Sequence, residues 1–307
     1  MTDSIHWDRR SFLKGVTLAA VGSALDTRGL MAVGLQGNAS AAEFGRRLRG
    51  PIVSIPTPFD STFNLDFIGL RRMIAGAQAH GIETYVLTAG DSQYSSLSYD
   101  EIKQLARAID FARFAESAGA TALQVLKPGL GDDENCVEHY RKVAASTRLP
   151  IVLHGNFSME LLEKLIENPS IVALKEDVSL AYYIDTTVRF GTRLNCFSGG
   201  GLHWFKVGQP YGSVAYFDSF ATFAPDVSAR FWKAVTMKDE AAQVEIIRKY
   251  DHPWIKNFSA AFWHATLEHF GVAQRYLRPP QPSYTDAQMA EVKAFHDRMD
   301  LAPSSQG

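Results

Sequence analysis

Lys175 closes the apolar run Ile171-Val172-Ala173-Leu174 and is followed at once by Glu176 and Asp177. A run of that kind bounded by polar residues predicts a strand buried on both faces, with the amine emerging at its carboxyl end, partly shielded from water. A shielded amine loses hydration that favours ammonium, and the neutral nitrogen can attack a carbonyl to form a Schiff base. The other reading is a strand-end lysine that lays its stem on apolar surface and sends its charge to solvent. His154, Asp177 and His203 raise a different chemistry, because strand-end histidines and carboxylates ligate metals in barrel hydrolases, yet no two of them sit at a ligand spacing. No metal or cofactor is therefore expected. Ser198-Gly199-Gly200-Gly201 lacks the spacing of a phosphate-binding fingerprint and predicts a tight turn.

The elements that must carry these residues alternate in type. Strand-like and helix-like segments pair as 52–59 with 65–81, 84–90 with 99–119, 121–128 with 134–148, 150–156 with 159–168 and 171–178 with 180–190. A strand over 194–200 precedes a short helix from Leu202, and a strand over 212–219 precedes a helix over 225–235. This is the signature of parallel βα units and predicts an α/β fold, a (β/α) TIM-type barrel. Gly81, Gly119 and Gly191 suit helix C-termini, Ser98 with Glu101 has capping-box spacing, and Ser158 is placed to cap the helix beginning at Met159. After Val235 the pattern is wholly helical, over 239–250, 257–270 and 285–299, with Arg278-Pro279-Pro280 as a rigid link. Residues 42–235 are thus expected to form the barrel and 236–307 a helical appendage packed on it. The count is seven strands, where a closed barrel of this type has eight.

Composition excludes several classes. The 307 residues are 46% hydrophobic and 21% charged, ordinary for a globular chain. With 31 basic against 33 acidic residues and no basic cluster, nucleic acid is not an expected partner. Cys136 and Cys196 have neither ligand spacing nor disulfide density and read as packing residues. No apolar stretch is long enough to predict a membrane span. The first forty residues read as an address: Arg9-Arg10-Ser11-Phe12-Leu13-Lys14 resembles the twin-arginine export motif, a mildly apolar stretch follows, and Ala39-Ser40-Ala41 is a small-residue cleavage pattern. Residues 1–41 are expected to be a signal peptide and the protein periplasmic or otherwise exported. Asp8, Asp26 and Arg28 depart from the usual pattern, and an amphipathic helix is the alternative.

The motifs in their order resemble the dihydrodipicolinate synthase and N-acetylneuraminate lyase family, Schiff-base aldolases and lyases that act on pyruvate and other 2-oxo acids. The anchors are Thr57-Pro58-Phe59, Thr88-Ala89-Gly90-Asp91, Leu149-Pro150-Ile151-Val152-Leu153-His154-Gly155-Asn156, the run into Lys175-Glu176, Ser198-Gly199-Gly200 and Arg278-Pro279-Pro280. The resemblance implies that Lys175 is the Schiff-base lysine and Thr88 a hydroxyl of the proton relay. It implies substrate-binding positions at Thr57, Ala89, Gly90, Asp91, Ser198 and Gly199, and a homo-oligomer, dimer or tetramer. Backbone amides near Gly90 would approach the substrate carboxylate.

The departures carry equal weight. Ala89 and Asp91 replace a hydroxyl residue and a glutamate of the family loop. His154 stands where the family has its proton-shuttling tyrosine, and an imidazole can act as general acid or base near neutrality or be held by a neighbour. Lys127-Pro128-Gly129-Leu130 lacks the tyrosine pair of the synthase branch, and no arginine follows Asn156 at the spacing that holds the second substrate, which argues against the lysine-biosynthetic reaction. About twenty residues are missing relative to the family between Glu101 and Gly119, which accounts for one absent βα unit. Two functions follow: a class I lyase or aldolase acting through Lys175, or an exported relative that binds a small carboxylate without turnover. The aromatic residues Trp232, Tyr250, Trp254, Phe258, Phe262 and Trp263 read as packing or subunit interface.

Overall fold

The computed structural model describes residues 41–64, 66–87, 122–128 and 133–303. Among these, strands and helices alternate as the sequence predicts: β1 (Gly50–Ile55), β2 (Thr84–Leu87), β3 (Leu123–Leu126), β4 (Ile151–His154), β5 (Ile171–Glu176), β6 (Asn195–Ser198) and β7 (Ala215–Asp218). The strand order is β2-β1-β7-β6-β5-β4-β3, and the recorded pairings are parallel. Neighbours run in chain order, and the last strand pairs with the first. That connectivity is the (β/α) TIM-type barrel. The expected signal peptide, the motif at Thr88–Asp91 and the shortened stretch between Glu101 and Gly119 lie outside the described residues.

The strands are shorter than the apolar runs suggest, for local reasons. β1 stops at Ile55 because Pro56 and Pro58 bring no N–H to the ladder. β5 stops at Glu176, whose carboxylate Oε1 accepts the backbone N–H of Val178 and of Ser179, bending the chain toward the next helix.

The described residues form two compact units. The first holds 41–48, 122–128, 133–197 and 211–213. Its helices are α1 (Ala41–Arg47), α3 (Asp133–Ser146), α4 (Met159–Leu165) and α5 (Leu180–Phe190). Ser158 and Ser179 cap α4 and α5, accepting from Leu161 N–H and Tyr182 N–H at 3.1 Å each. Leu123, Tyr140, Leu153, Phe157, Leu174 and Phe190 are buried together in its core. Side chains of that size contribute about 1.5 to 3 kcal/mol each when withdrawn from water. Both cysteines are buried free thiols, Cys136 in α3 and Cys196 in β6, as packing residues should be. Between β4 and β5 the ladder is irregular: Ile151 pairs with Ile171, but Val152 pairs with Ala173, Leu153 with Leu174 and His154 with Lys175.

The second unit holds β1, β2, β7 and the remaining helices: α2 (Phe67–Ala79), α6 (Leu202–Gly208), α7 (Pro225–Thr236), α8 (Glu240–Ile246), α9 (His252–Asn257), α10 (Ala260–His269) and α11 (Asp286–Asp297). The helix expected over 239–250 does not end there. A π turn at Ile247–Asp251 carries it into α9, an element absent from the sequence reading because Pro253 masks it; at the first turn of α9 proline costs nothing. Of the aromatic residues expected as packing or subunit interface, Trp254 is packed in the core, 4.9 Å from Phe223 and 5.3 Å from Phe262, ring centre to ring centre, while Phe258 is 37% exposed. Gly81 ends α2 with φ 75°, the left-handed turn a C-terminal glycine supplies. Gly191 departs from that expectation. It keeps right-handed geometry and closes α5 with an ordinary bond to Thr187 O.

Candidate active site

β4 and β5 are buried along their full lengths, so their side-by-side pairing delivers two polar side chains to one face at the carboxyl ends. The residues His154 and Lys175 are 8% and 5% exposed. Lys175 Nζ lies 3.1 Å from His154 Nε2 and 2.5 Å from Asp177 Oδ2. His154 Nε2 is itself 2.9 Å from the same carboxylate oxygen. Three groups from two strands and the turn after them thus converge on one point. The Asp177 side chain is 43% exposed, so the cluster opens to solvent at the carboxylate while the amine and imidazole stay covered.

The electrostatics follow from that arrangement. Burial opposes ionisation of Asp177, but the His154 hydrogen bond and the Lys175 charge outweigh it and hold the carboxyl at about 2. Glu176 points to the opposite face of β5, as alternation requires. There burial lifts its carboxyl to about 7 against the two backbone N–H groups it accepts, and its Oε2 has no partner among the described residues. Glu176 therefore anchors the turn, and Asp177 is the carboxylate that serves the amine.

Neighbouring residues fix the loop after β4. Gly155 has φ 140°, and a Cβ there would lie 2.8 Å from Lys127 Cβ, so only glycine fits between the ends of β3 and β4. Lys127 donates its backbone N–H to His154 O at 2.8 Å and its Nζ to Asn156 O at 2.8 Å. Tyr182 of α5 donates its hydroxyl to Phe157 O at 2.9 Å and accepts Phe157 N–H at 3.1 Å. Gln124 of β3 places its amide Nε2 3.3 Å from His154 Nδ1. Neither Gln124 nor Tyr182 is signalled by the sequence, since both act through strand register and packing that only the fold supplies.

Other expected site residues fall in the second unit. Ser198 is fully buried and accepts Gly200 N–H at 2.9 Å. Gly199 and Thr57 are half-buried, the latter just after β1. The Ser198–Gly201 stretch is a tight turn, as predicted. Gly201 has φ 87°, and a Cβ on it would lie 2.7 Å from Asp251 Oδ1. The Asp251 carboxylate accepts Leu202 N–H at 3.1 Å and His203 N–H at 3.0 Å, and its Oδ2 lies 2.6 Å from His203 Nδ1. The π turn presents this carboxylate, an arrangement a regular helix over 239–250 would not give. Thr88, Ala89, Gly90 and Asp91 lie outside the described residues. Among the described residues no three His, Cys, Asp or Glu side chains are grouped to hold a metal, and no helix is long and apolar enough to cross a membrane.

Comparison with known proteins places this cluster in context. The family model described as the dihydrodipicolinate synthetase family matches residues 103–297. A probable 5-dehydro-4-deoxyglucarate dehydratase of Rhizobium rhizogenes is 22% identical over 289 residues, 81% of this chain and 95% of that protein. A probable 5-dehydro-4-deoxyglucarate dehydratase of Oceanobacillus iheyensis is 23% identical over 63% of this chain and 73% of its own length. Among solved structures, YagE of E. coli K12, a protein of the dihydrodipicolinic acid synthase family in complex with pyruvate, superposes with a TM-score of 0.73 at 20% identity. The match covers 83% of this chain and 99% of that one, and shows the shared barrel fold.

Proposed function

This chain belongs to the dihydrodipicolinate synthetase family, and from that premise we propose that it is a class I lyase that forms a Schiff base between Lys175 and a 2-oxo acid. The observation that carries the reading is the convergence of Lys175 Nζ, His154 Nε2 and Asp177 Oδ2 within 3.1 Å of one another. An amine, a group able to move protons and a fixed negative charge are what imine chemistry requires.

The amine must first lose a proton, for which His154 Nε2 is the adjacent acceptor. Nζ then attacks the carbonyl carbon, the carbonyl oxygen takes up a proton from the imidazole, and loss of water leaves a protonated imine. Asp177 lies where its charge offsets the iminium. The iminium withdraws electrons from the neighbouring carbon, so a carbon–carbon bond or a β-hydroxyl can be cleaved without a metal. In this reading Thr88 completes the relay. The family resemblance assigns substrate binding to Thr57, Ala89, Gly90, Asp91, Ser198 and Gly199. The relatives named as 5-dehydro-4-deoxyglucarate dehydratases make a polyhydroxylated oxo acid the first substrate to test beside pyruvate.

The test is intact-mass spectrometry after sodium borohydride treatment with 5-dehydro-4-deoxyglucarate, pyruvate and other 2-oxo acids. A single adduct, absent from Lys175→Ala, is expected; no adduct with any acid defeats the proposal and favours a relative that binds a carboxylate without turnover. Export through residues 1–41 and assembly into a dimer or tetramer belong to the same proposal. Cell fractionation of the full chain and light scattering of the purified protein test them.

A further inference from the structure

Gln124 brings a carboxamide to the outer nitrogen of His154, and its two ends are not equally served. Nε2 lies 3.3 Å from His154 Nδ1, while Oε1 is buried without a partner among the described residues. An amide N–H directed at Nδ1 needs a bare lone pair there, which leaves the imidazole proton on Nε2, donated to Asp177 Oδ2. In that tautomer Nε2 has no lone pair for the proton of Lys175, although the amine stands 3.1 Å away. The resting hydrogen bonds therefore block the very transfer that would free the nucleophile.

A half-turn of the carboxamide about its last bond exchanges Oε1 and Nε2 with almost no change of shape. Oε1 then faces Nδ1 and accepts a hydrogen bond from a proton carried there, which ends its burial without a partner. With the proton on Nδ1, the Nε2 lone pair faces Lys175. The ammonium has three protons, enough to serve both Nε2 and Asp177. Moving one from Nζ to Nε2 gives an imidazolium that donates Nδ1–H to Gln124 and Nε2–H to Asp177, beside a neutral amine. No electrons change hands: the tautomer change takes up one proton at Nδ1 from solvent and releases one from Nε2 through the solvent-exposed Asp177 carboxylate, after which the single proton from Nζ moves to Nε2. The other charged groups around the imidazole do not supply this. Lys127 of the β3 end is held by Asn156 O, and Glu176 lies on the far face of β5 holding the turn. Lys175 and Asp177 are the partners already named.

We propose that Gln124 is a positioning residue whose carboxamide orientation switches His154 between a proton donor toward Asp177 and a proton acceptor toward Lys175. The inference rests on the Schiff-base reading for its consequence, not for its geometry, so two measurements separate them. Nitrogen-15 correlation spectra of the imidazoles in the folded full-length protein, with His154→Gln to assign the signal, report which ring nitrogen carries the proton in the absence of substrate. Gln124→Glu is expected to fix the proton on Nδ1, and Gln124→Met to leave it on Nε2. The rate of borohydride-trapped adduct formation in Gln124→Met is expected to fall about tenfold, the equivalent of one lost hydrogen bond to a charged group, with the concentration of acid giving half-maximal rate unchanged. Gln124→Asn, which keeps the amide on a shorter stem, should recover part of that loss. An unchanged tautomer in Gln124→Glu, or a Gln124→Met trapping rate within about twofold of wild type, overturns the inference. If the wild type traps no acid, the lyase reading falls and the spectra alone decide the role of Gln124.

Discussion

Asp177→Asn removes a carboxylate that touches both Lys175 and His154, and its effect can be sized from the structure. The carboxyl is held at about 2 against an ordinary value of 3.8, a gap worth about 2.4 kcal/mol between its charged and neutral forms. A bare Coulomb figure for unit charges 2.5 Å apart would be more than twice that even at a dielectric constant of about 20, but it ignores the hydration both ions surrender. The Asp177 side chain is 43% exposed, so water screens even the smaller figure, and about 1 kcal/mol is the net expectation.

The sign of the pH dependence follows. A carboxyl whose folded value is depressed contributes stability that is present above its unfolded value and lost as pH falls through the folded one. Urea unfolding of wild type and Asp177→Asn should therefore differ by about 1 kcal/mol at every pH from 5 to 8, and the difference should shrink below about pH 4. In borohydride trapping the variant should lose less than in turnover. On the Schiff-base proposal, removing the charge eases proton loss before attack but withdraws support from the iminium that the later steps need. A stability difference that stays constant down to pH 3, or a trapping loss larger than the turnover loss, refutes this account of Asp177.

Three further outcomes are expected. Glu176→Gln keeps an oxygen for Val178 N–H and Ser179 N–H but removes a buried carboxyl lifted to about 7 from 4.5; since ionising it opposes folding, wild type should lose more stability than the variant between pH 4.5 and 7, and the variant's advantage in urea unfolding should reach about 3 kcal/mol by pH 8. His264 is fully buried with neither ring nitrogen partnered among the described residues, and burial lowers it to about 4 from 6.5. His264→Leu should stabilise by about 1 kcal/mol at pH 7.5, with the gain in calorimetry growing by about 3 kcal/mol as pH falls from 6.5 to 4 and only wild type must stay neutral against solution. Gly201→Ala adds a Cβ 2.7 Å from Asp251 Oδ1 at φ 87°; thermal unfolding should show a loss of about 2 kcal/mol or more, and the His203 imidazole signals should shift as Asp251 is displaced.

Lys175 was legible because a strand buried on both faces must be an unbroken apolar run, so the first polar residue after Leu174 marks its exit. The same logic marks His154 after Leu153. Their contact was not legible, because apolar runs do not state the register at which two strands pair. Gln124 remained hidden for that reason, and Asp177, weighed in the sequence only as a metal ligand, turned out to face the amine. Helix boundaries held where caps are local, as at Ser158 and Ser179. They failed where tertiary packing decides, as in the π turn that carries Asp251 to the Ser198–Gly201 loop and the helix His252–Asn257 beyond it.

The irregular pairing of β4 with β5 has a consequence for how this site can be inherited. Continued without interruption from Ile151 and Ile171, the ladder would set His154 beside Leu174, and Lys175 would emerge on the far face of the sheet, behind the imidazole. One surplus residue, Val172, shifts the count so that His154 and Lys175 become true neighbours. The meeting of imidazole and amine thus depends on a parity, odd or even, set near the strand entrances. A ladder that lost this irregularity while keeping all its residues would preserve every polar side chain of the cluster and most of the core, yet turn the Lys175 amine away from the imidazole.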